Sequence, residues 1–165
     1  MAAAEPETRT LLAVRIRGAV RIRKGIEKTF QLLGLRYKYN AVLLPNDPST
    51  KGMLFAVKDL VTWGEIDRPA LTNLILKRGC VRGKGRLDEK LLQTTLNFKD
   101  ASEMADAILT GTTPLHHIYQ KGLQKVFRLH PPKGGFKHGT KRPFHDRGEL
   151  GYRGAAINQL VERMT

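Results

Sequence analysis

Apolar and polar positions change their spacing several times along this chain, and each change marks an element. From Leu11 to Arg17, Leu12, Val14 and Ile16 fall on one side and Ala13, Arg15 and Arg17 on the other, which predicts a half-buried strand with a basic outer face. Ile26, Phe30 and Leu33 then recur at i, i+4 and i+7 ahead of Gly34, so residues 24–33 form a helix ended by a left-handed residue. Arg36 to Leu44, rich in aromatic and branched side chains, predicts a second strand, closed by the turn cluster Pro45-Asn46-Asp47-Pro48. Ser49 or Thr50 caps a second helix carrying Leu54, Val57, Leu60 and Val61 inward, and Thr62 to Ile66 gives a short third strand around Trp63. The order β-α-β-α-β places the chain in the α+β class. It implies a small antiparallel sheet with helices on one face, in the split βαβ, ferredoxin-like manner.

Helical spacing dominates the middle. Asp67 caps a helix with Pro69 in its first turn, Leu71, Leu74 and Ile75 facing inward, and Lys77 and Arg78 at its negative end before Gly79. The loop Cys80 to Arg86 follows, then a short helix capped by Asp88. Asp100 and Glu103 form a variant capping box for a helix bearing Met104, Ala105, Ile108 and Leu109, and Thr113-Pro114 opens another helical turn. The chain closes on an apolar stripe of Ile157, Leu160, Val161 and Met164.

Between these helices the periodicity disappears. Val126 to Gly148 reads VFRLHPPKGGFKHGTKRPFHDRG, with six Lys and Arg against the single acid Asp146 and with prolines and glycines throughout. A long regular strand is not expected there. The composition predicts an extended, looping arm that gains its shape from a polyanion, since its like charges repel and it has little apolar surface to bury. Phe127, Phe136 and Phe144 alternate with the cations, the arrangement expected either of base-stacking rings or of rings that pin the loop to the body. The expected organisation is a flexible N-terminus over 1–8, a β-α-β-α-β core over 9–66, a helical elaboration over 67–125, and a basic extended arm with a final helix over 126–165.

Charge sharpens this picture. The 165 residues carry 29 Lys and Arg against 15 Asp and Glu, a net charge of +14 and a pI near 10.3. Residues 1–60 hold 11 bases and 5 acids, residues 61–120 hold 8 and 7, and residues 121–165 hold 10 and 3, so two basic ends flank a near-neutral middle. That asymmetry points to nucleic acid before anionic membrane. A hydrophobic content of 41% excludes a wholly disordered basic tail. The lone Cys80 cannot form an internal disulfide, MAAAEPET is no signal peptide, and no apolar run reaches membrane-spanning length, so a soluble intracellular protein is expected.

Catalytic patterns are weak. Gly134 to Lys141 superficially matches a phosphate-binding loop, but it ends Thr-Lys in place of Lys-Thr and Pro143 forbids the helix that should follow. His116, His117, His130, His138 and His145 lack cysteines at metal-ligand spacing, so no metal and no cofactor is expected. The acids sit at helix caps, and no nucleophile is spaced with a base. An RNA-processing or nucleotide-using enzyme with a Gly-rich phosphate cradle stays as the alternative reading, and a free-standing RNA chaperone as a third.

Several separated motifs carry a resemblance. Val14-Arg15-Ile16-Arg17-Gly18, Ile26-Glu27-Lys28-Thr29, Pro45 to Met53, Phe127 to Pro132, Lys141-Arg142-Pro143 and Gly151-Tyr152-Arg153-Gly154 resemble, in order, the L-thirty family of large-subunit ribosomal proteins in its archaeal form, called L-seven in eukaryotes. The resemblance implies a non-catalytic structural constituent of the large subunit, cytoplasmic and ribosome-associated and not a homo-oligomer. It would bind large-subunit ribosomal RNA in the vicinity of 5S RNA, among neighbouring ribosomal proteins. It also implies that residues after the third strand are an archaeal and eukaryotic addition. On charge and placement the RNA-binding candidates are Arg15, Arg17, Arg21, Arg23, Lys51, Arg82, Lys84, Arg86, Arg128, His130, Lys133, Lys137, His138, Lys141, Arg142, Arg147 and Arg153. Phe136, Phe144 and Tyr152 are the candidates for base stacking.

Overall fold

A computed structural model of the chain describes residues 10–18 and 20–165; residues 1–9, with the expected flexible segment 1–8, and Ala19 lie outside the described residues. The first half follows the predicted order: β1 (Thr10–Arg15), α1 (Lys24–Leu33), β2 (Asn40–Pro45), α2 (Pro48–Ala56) and β3 (Val61–Glu65). α1 has the predicted ends, and Gly34 closes it at φ +82°. There follow α3 (Arg68–Arg78), a two-strand hairpin of β4 (Cys80–Val81) and β5 (Gly85–Arg86), a single turn α4 (Glu89–Leu91) that continues into a π turn over Leu92–Leu96, α5 (Ala101–Leu109) and α6 (Leu115–Gln120). The chain ends with β6 (Val126–Arg128), β7 (Gly139–Pro143), β8 (Gly148–Tyr152) and α7 (Ile157–Met164).

The core strands form an antiparallel trio, with Leu12 opposite Leu43 on β2 and opposite Gly64 on β3. Three later strands enlarge it to a six-stranded mixed sheet of order β6-β2-β1-β3-β8-β7. β6 adds antiparallel to β2, and β8 adds parallel to β3. The stretch Val126 to Gly148 is therefore not the shapeless arm expected. It supplies both edge strands of the sheet and the start of β8. Each of these strands is three to five residues long, which fits the prolines and glycines that exclude longer ones.

Helices cover both faces, where one covered face was expected. Leu11, Ala13, Val42, Leu44 and Trp63 pack under Phe30 and Leu33 of α1 and Leu54 of α2. On the opposite face Leu12, Val14, Ala41 and Leu43 meet α3, α5 and α7 through Leu71, Leu74, Met104, Ile108, Leu160 and Met164. β1 is buried along its whole length, so its Ala13 and Arg15 side is interior and not a basic surface. β3 and the C-terminal segment approach so closely that a Cβ on Gly64 would lie 2.1 Å from the Gly154 carbonyl oxygen.

Candidate nucleic-acid interface

Two of the predicted RNA-binding arginines are structural. Arg15 is 2% exposed. Its Nη1 donates to the Leu35 and Arg36 carbonyls at 2.8 and 2.6 Å, its Nε donates to the Arg17 carbonyl at 2.9 Å, and its guanidinium carbon lies 4.0 Å from the centre of the Phe30 ring. Burial lowers its pKa from the ordinary guanidinium value, and the negative charge of Glu27 opposes that shift. The strand alternation places this side chain outside because the covering helix lies beyond the strand's own pattern. Arg153 is 8% exposed and pairs with buried Glu149 at 2.5 Å while its Nε donates to Thr62 Oγ1 at 2.8 Å. Both arginines shape the backbone around them and present no charge to a partner.

The three candidate stacking rings all have partners inside the protein. Phe136 lies in an offset stack on Tyr39, with ring centres 6.5 Å apart. Phe144 sits under the Arg153 guanidinium at 4.8 Å. The Tyr152 hydroxyl donates to the Glu65 carboxylate, and burial first, then that bond and the negative charge of Glu65, raise its pKa. Phe127 belongs to the core.

The remaining candidates lie at the surface. Arg21, Arg23, Lys51, Arg82, Lys84, Arg86, Arg128, His130, Lys133, Lys137, His138, Lys141, Arg142 and Arg147 are exposed, and Arg17 is half-buried with Nη1 directed to the Asp59 carbonyl. Lys51 lies on α2, across the sheet from the hairpin that carries Arg82 and Arg86. Lys141 and Arg142 line the β7 edge, whereas Arg128 lies on the β6 edge, five strand spacings or about 24 Å away. The single arm that the sequence predicts is thus divided between opposite sides of the molecule.

At the β6 edge the fold brings distant cations together. The β4–β5 hairpin docks on the chain leading into β6, as Gln124 N donates to the Cys80 carbonyl and Arg82 N to the Gly122 carbonyl. Two adjoining clefts result, of about 340 and 390 Å³, which share Gln124, Val126 and Arg128. Arg36, Arg82 and Lys125 complete the charge of the first, and Lys77, Arg78 and Arg86 that of the second; among the described residues no acid lines either. Arg36, Tyr37, Lys77 and Lys125 are not among the candidates that the sequence singles out. The cation-aromatic-cation triplet Arg36-Tyr37-Lys38 is the signal that could have found the first two, but the sequence pattern assigns it to the start of β2, which begins only at Asn40.

The Gly-rich run is no nucleotide cradle. Arg163 on α7 donates to the carbonyls of Lys133 and Gly135, clamping the turn, and the chain proceeds into the β7 edge strand in place of a helix. Among the described residues no cluster of three His, Cys, Asp or Glu could hold a metal ion, and no helix is long and apolar enough to cross a membrane.

Known proteins share much of this sequence. The family profile described as ribosomal protein L30p/L7e matches residues 11–61, the span from β1 into β3. Large ribosomal subunit protein uL30 of Hyperthermus butylicus is 45% identical over 158 residues, covering 92% of this chain and 87% of that protein. The chain belongs to the ribosomal protein L30p/L7e family. Within this L30p/L7e family, uL30 of Korarchaeum cryptofilum is 45% identical over 92% of both chains, and uL30 of Aeropyrum pernix is 41% identical over 92% of this chain and 96% of its own. The similarity to these archaeal L30p/L7e proteins therefore runs through the elements beyond β3, including both cationic edges.

Proposed function

We propose that this protein is a non-catalytic structural constituent of the large ribosomal subunit and binds ribosomal RNA through the two edges of its sheet. One observation carries the reading: the cation-lined clefts, with no acid among their described residues, that β6, the β4–β5 hairpin and the 36–38 loop build from separate parts of the chain. A surface needing only solubility intersperses both signs of charge. Clustered Arg and Lys instead match the spaced phosphates of folded RNA, and binding there releases condensed counterions. Residues 9–66 act as the shared core, 67–125 as the buttress that orients the hairpin, and 126–165 as the segment that carries both RNA-facing edges. The vicinity of 5S RNA, among neighbouring ribosomal proteins, is the position that family membership supports. Sedimentation of cell extract through high salt tests the assignment. Recovery with large subunits is expected, and quantitative recovery in the ribosome-free fraction overturns it. Crosslinking within purified subunits tests the position: adducts to 5S RNA or the large-subunit RNA segments beside it are expected, and adducts only to distant segments refute it.

A further inference from the structure

The cleft between the 36–38 loop and β6 holds groups that phosphate pairing does not use. Tyr37 is 71% exposed, so its ring does not serve the core. The loop under it is fixed at both ends, by the Arg15 guanidinium on the Leu35 and Arg36 carbonyls and by Tyr39 N donating to the Arg15 carbonyl. An aromatic ring presented on a held loop loses little freedom when a flat partner covers it. Below it, Asn40 is only 7% exposed, yet no hydrogen bond joins its side-chain amide, or that of Gln124, to another described residue. A carboxamide donates and accepts at once, which suits the edge of a nucleobase better than a phosphate. Arg82 and Arg128 supply positive charge on the same cleft, whose volume of about 340 Å³ has room for one nucleotide and none for a duplex.

From this arrangement we infer that the cleft receives a single unstacked nucleotide of the bound RNA, with the base against Tyr37, its edge on the Asn40 and Gln124 amides, and the adjoining phosphates on Arg82 and Arg128. The inference rests on the RNA-binding reading above. It adds that this edge takes an extruded base, where the β7 edge offers backbone charge alone.

The test uses the full chain, a single-stranded RNA decamer with a central 2-aminopurine, the same decamer in duplex form, and free AMP. Binding of the single strand is expected to quench the 2-aminopurine. Tyr37→Ala should abolish the quench and weaken single-strand binding roughly 5- to 150-fold, while Tyr37→Phe stays within about twofold of the parent. Gln124→Leu should weaken single-strand binding independently, and duplex binding should be the same for the parent and Tyr37→Ala. Parent-like binding and quenching in both Tyr37→Ala and Gln124→Leu would overturn the nucleotide site. If Arg82→Glu/Arg128→Glu nevertheless lost affinity for both RNA forms, RNA binding at this edge would stand; if that variant bound normally, the edge would be excluded as well. Saturable AMP binding as tight as that of the decamer would reassign the cleft to a free nucleotide.

Discussion

The Glu149 carboxylate lies 2.5 Å from Nη2 of Arg153, four residues along the chain, and each side chain retains only 5% of its exposure. This buried pair holds the C-terminal segment on the sheet. Glu149 also accepts from His138 N at 3.1 Å, and Arg153 also donates to Thr62 on β3 and covers Phe144. Removing one partner leaves an uncompensated charge in the interior. Glu149→Ala should therefore cost about 3–5 kcal/mol in urea unfolding, and amide exchange at His138 should accelerate. Replacing both residues by leucine should recover part of that loss. A Glu149→Ala protein as stable as the parent would show that the pair does not anchor the segment.

β3 has no room for a side chain where the C-terminal segment crosses it. A methyl group on Gly64 would meet the Gly154 carbonyl at 2.1 Å, and backbone cannot rotate away as a side-chain tip can. Gly64→Ala should destabilise by roughly 1–3 kcal/mol or more and loosen β8 and α7 from β3. Gly52, on the exposed side of α2, provides the contrast, because a Cβ added there would meet nothing within 4 Å. Gly52→Ala should stabilise by about 0.5–1 kcal/mol. Thermal melts of the two variants moving in the same direction would contradict this view of the β3 contact.

Arg15 and Arg128 separate structural from binding cations. With about six to eight phosphates neutralised, the logarithm of RNA affinity should fall against the logarithm of salt with a slope of roughly −4 to −7. Arg128→Ala, at an exposed edge, should reduce the slope by about 0.7–0.9 and leave the melting temperature nearly unchanged. Arg15→Ala should lower the melting temperature, because three carbonyls lose their donor, and Arg15→Lys should not rescue it, since an ammonium lacks the fork that reaches several carbonyls together. A slope near zero for the parent would remove the electrostatic model of binding.

Local patterns were legible wherever a segment's own residues determine its conformation. α1 was readable to the residue because Ile26, Phe30, Leu33 and Gly34 encode both its buried stripe and its end. The one-sided reading of β1 failed because alternation reports which side chains differ in polarity, and not how many layers close over the strand; α1 and α2 cover the Ala13 and Arg15 side, and α3, α5 and α7 cover the Leu12 and Val14 side. The same limit concealed the site. Arg36, Arg82 and Arg128 are far apart in sequence and meet only through the hairpin docking on Gly122 and Gln124. The stretch Val126 to Gly148 appeared shapeless because its fastening groups, Tyr39, Glu149 and Arg163, lie outside it.

Tyr119 makes stability depend on alkaline pH. Its hydroxyl donates to the Leu43 carbonyl on β2 at 3.2 Å, and burial raises its pKa above the ordinary tyrosine value. An unfolded chain releases this proton near pH ~10, whereas the folded chain retains it to higher pH. Above pH ~10 the folded state thus binds more protons than the unfolded state, so stability is intact below that pH and falls as pH rises, by up to about 1.4 kcal/mol per unit until the folded group also ionises. Tyr152, raised in the same direction, adds to the trend. Tyr119→Phe should be less stable than the parent at pH 8 by about 1 kcal/mol, the contribution of one hydrogen bond. Because phenylalanine has no proton to lose, the two proteins should converge in urea midpoint between pH 9 and 11. Parallel pH profiles would mean that the Tyr119 hydroxyl titrates alike in the folded and unfolded chains.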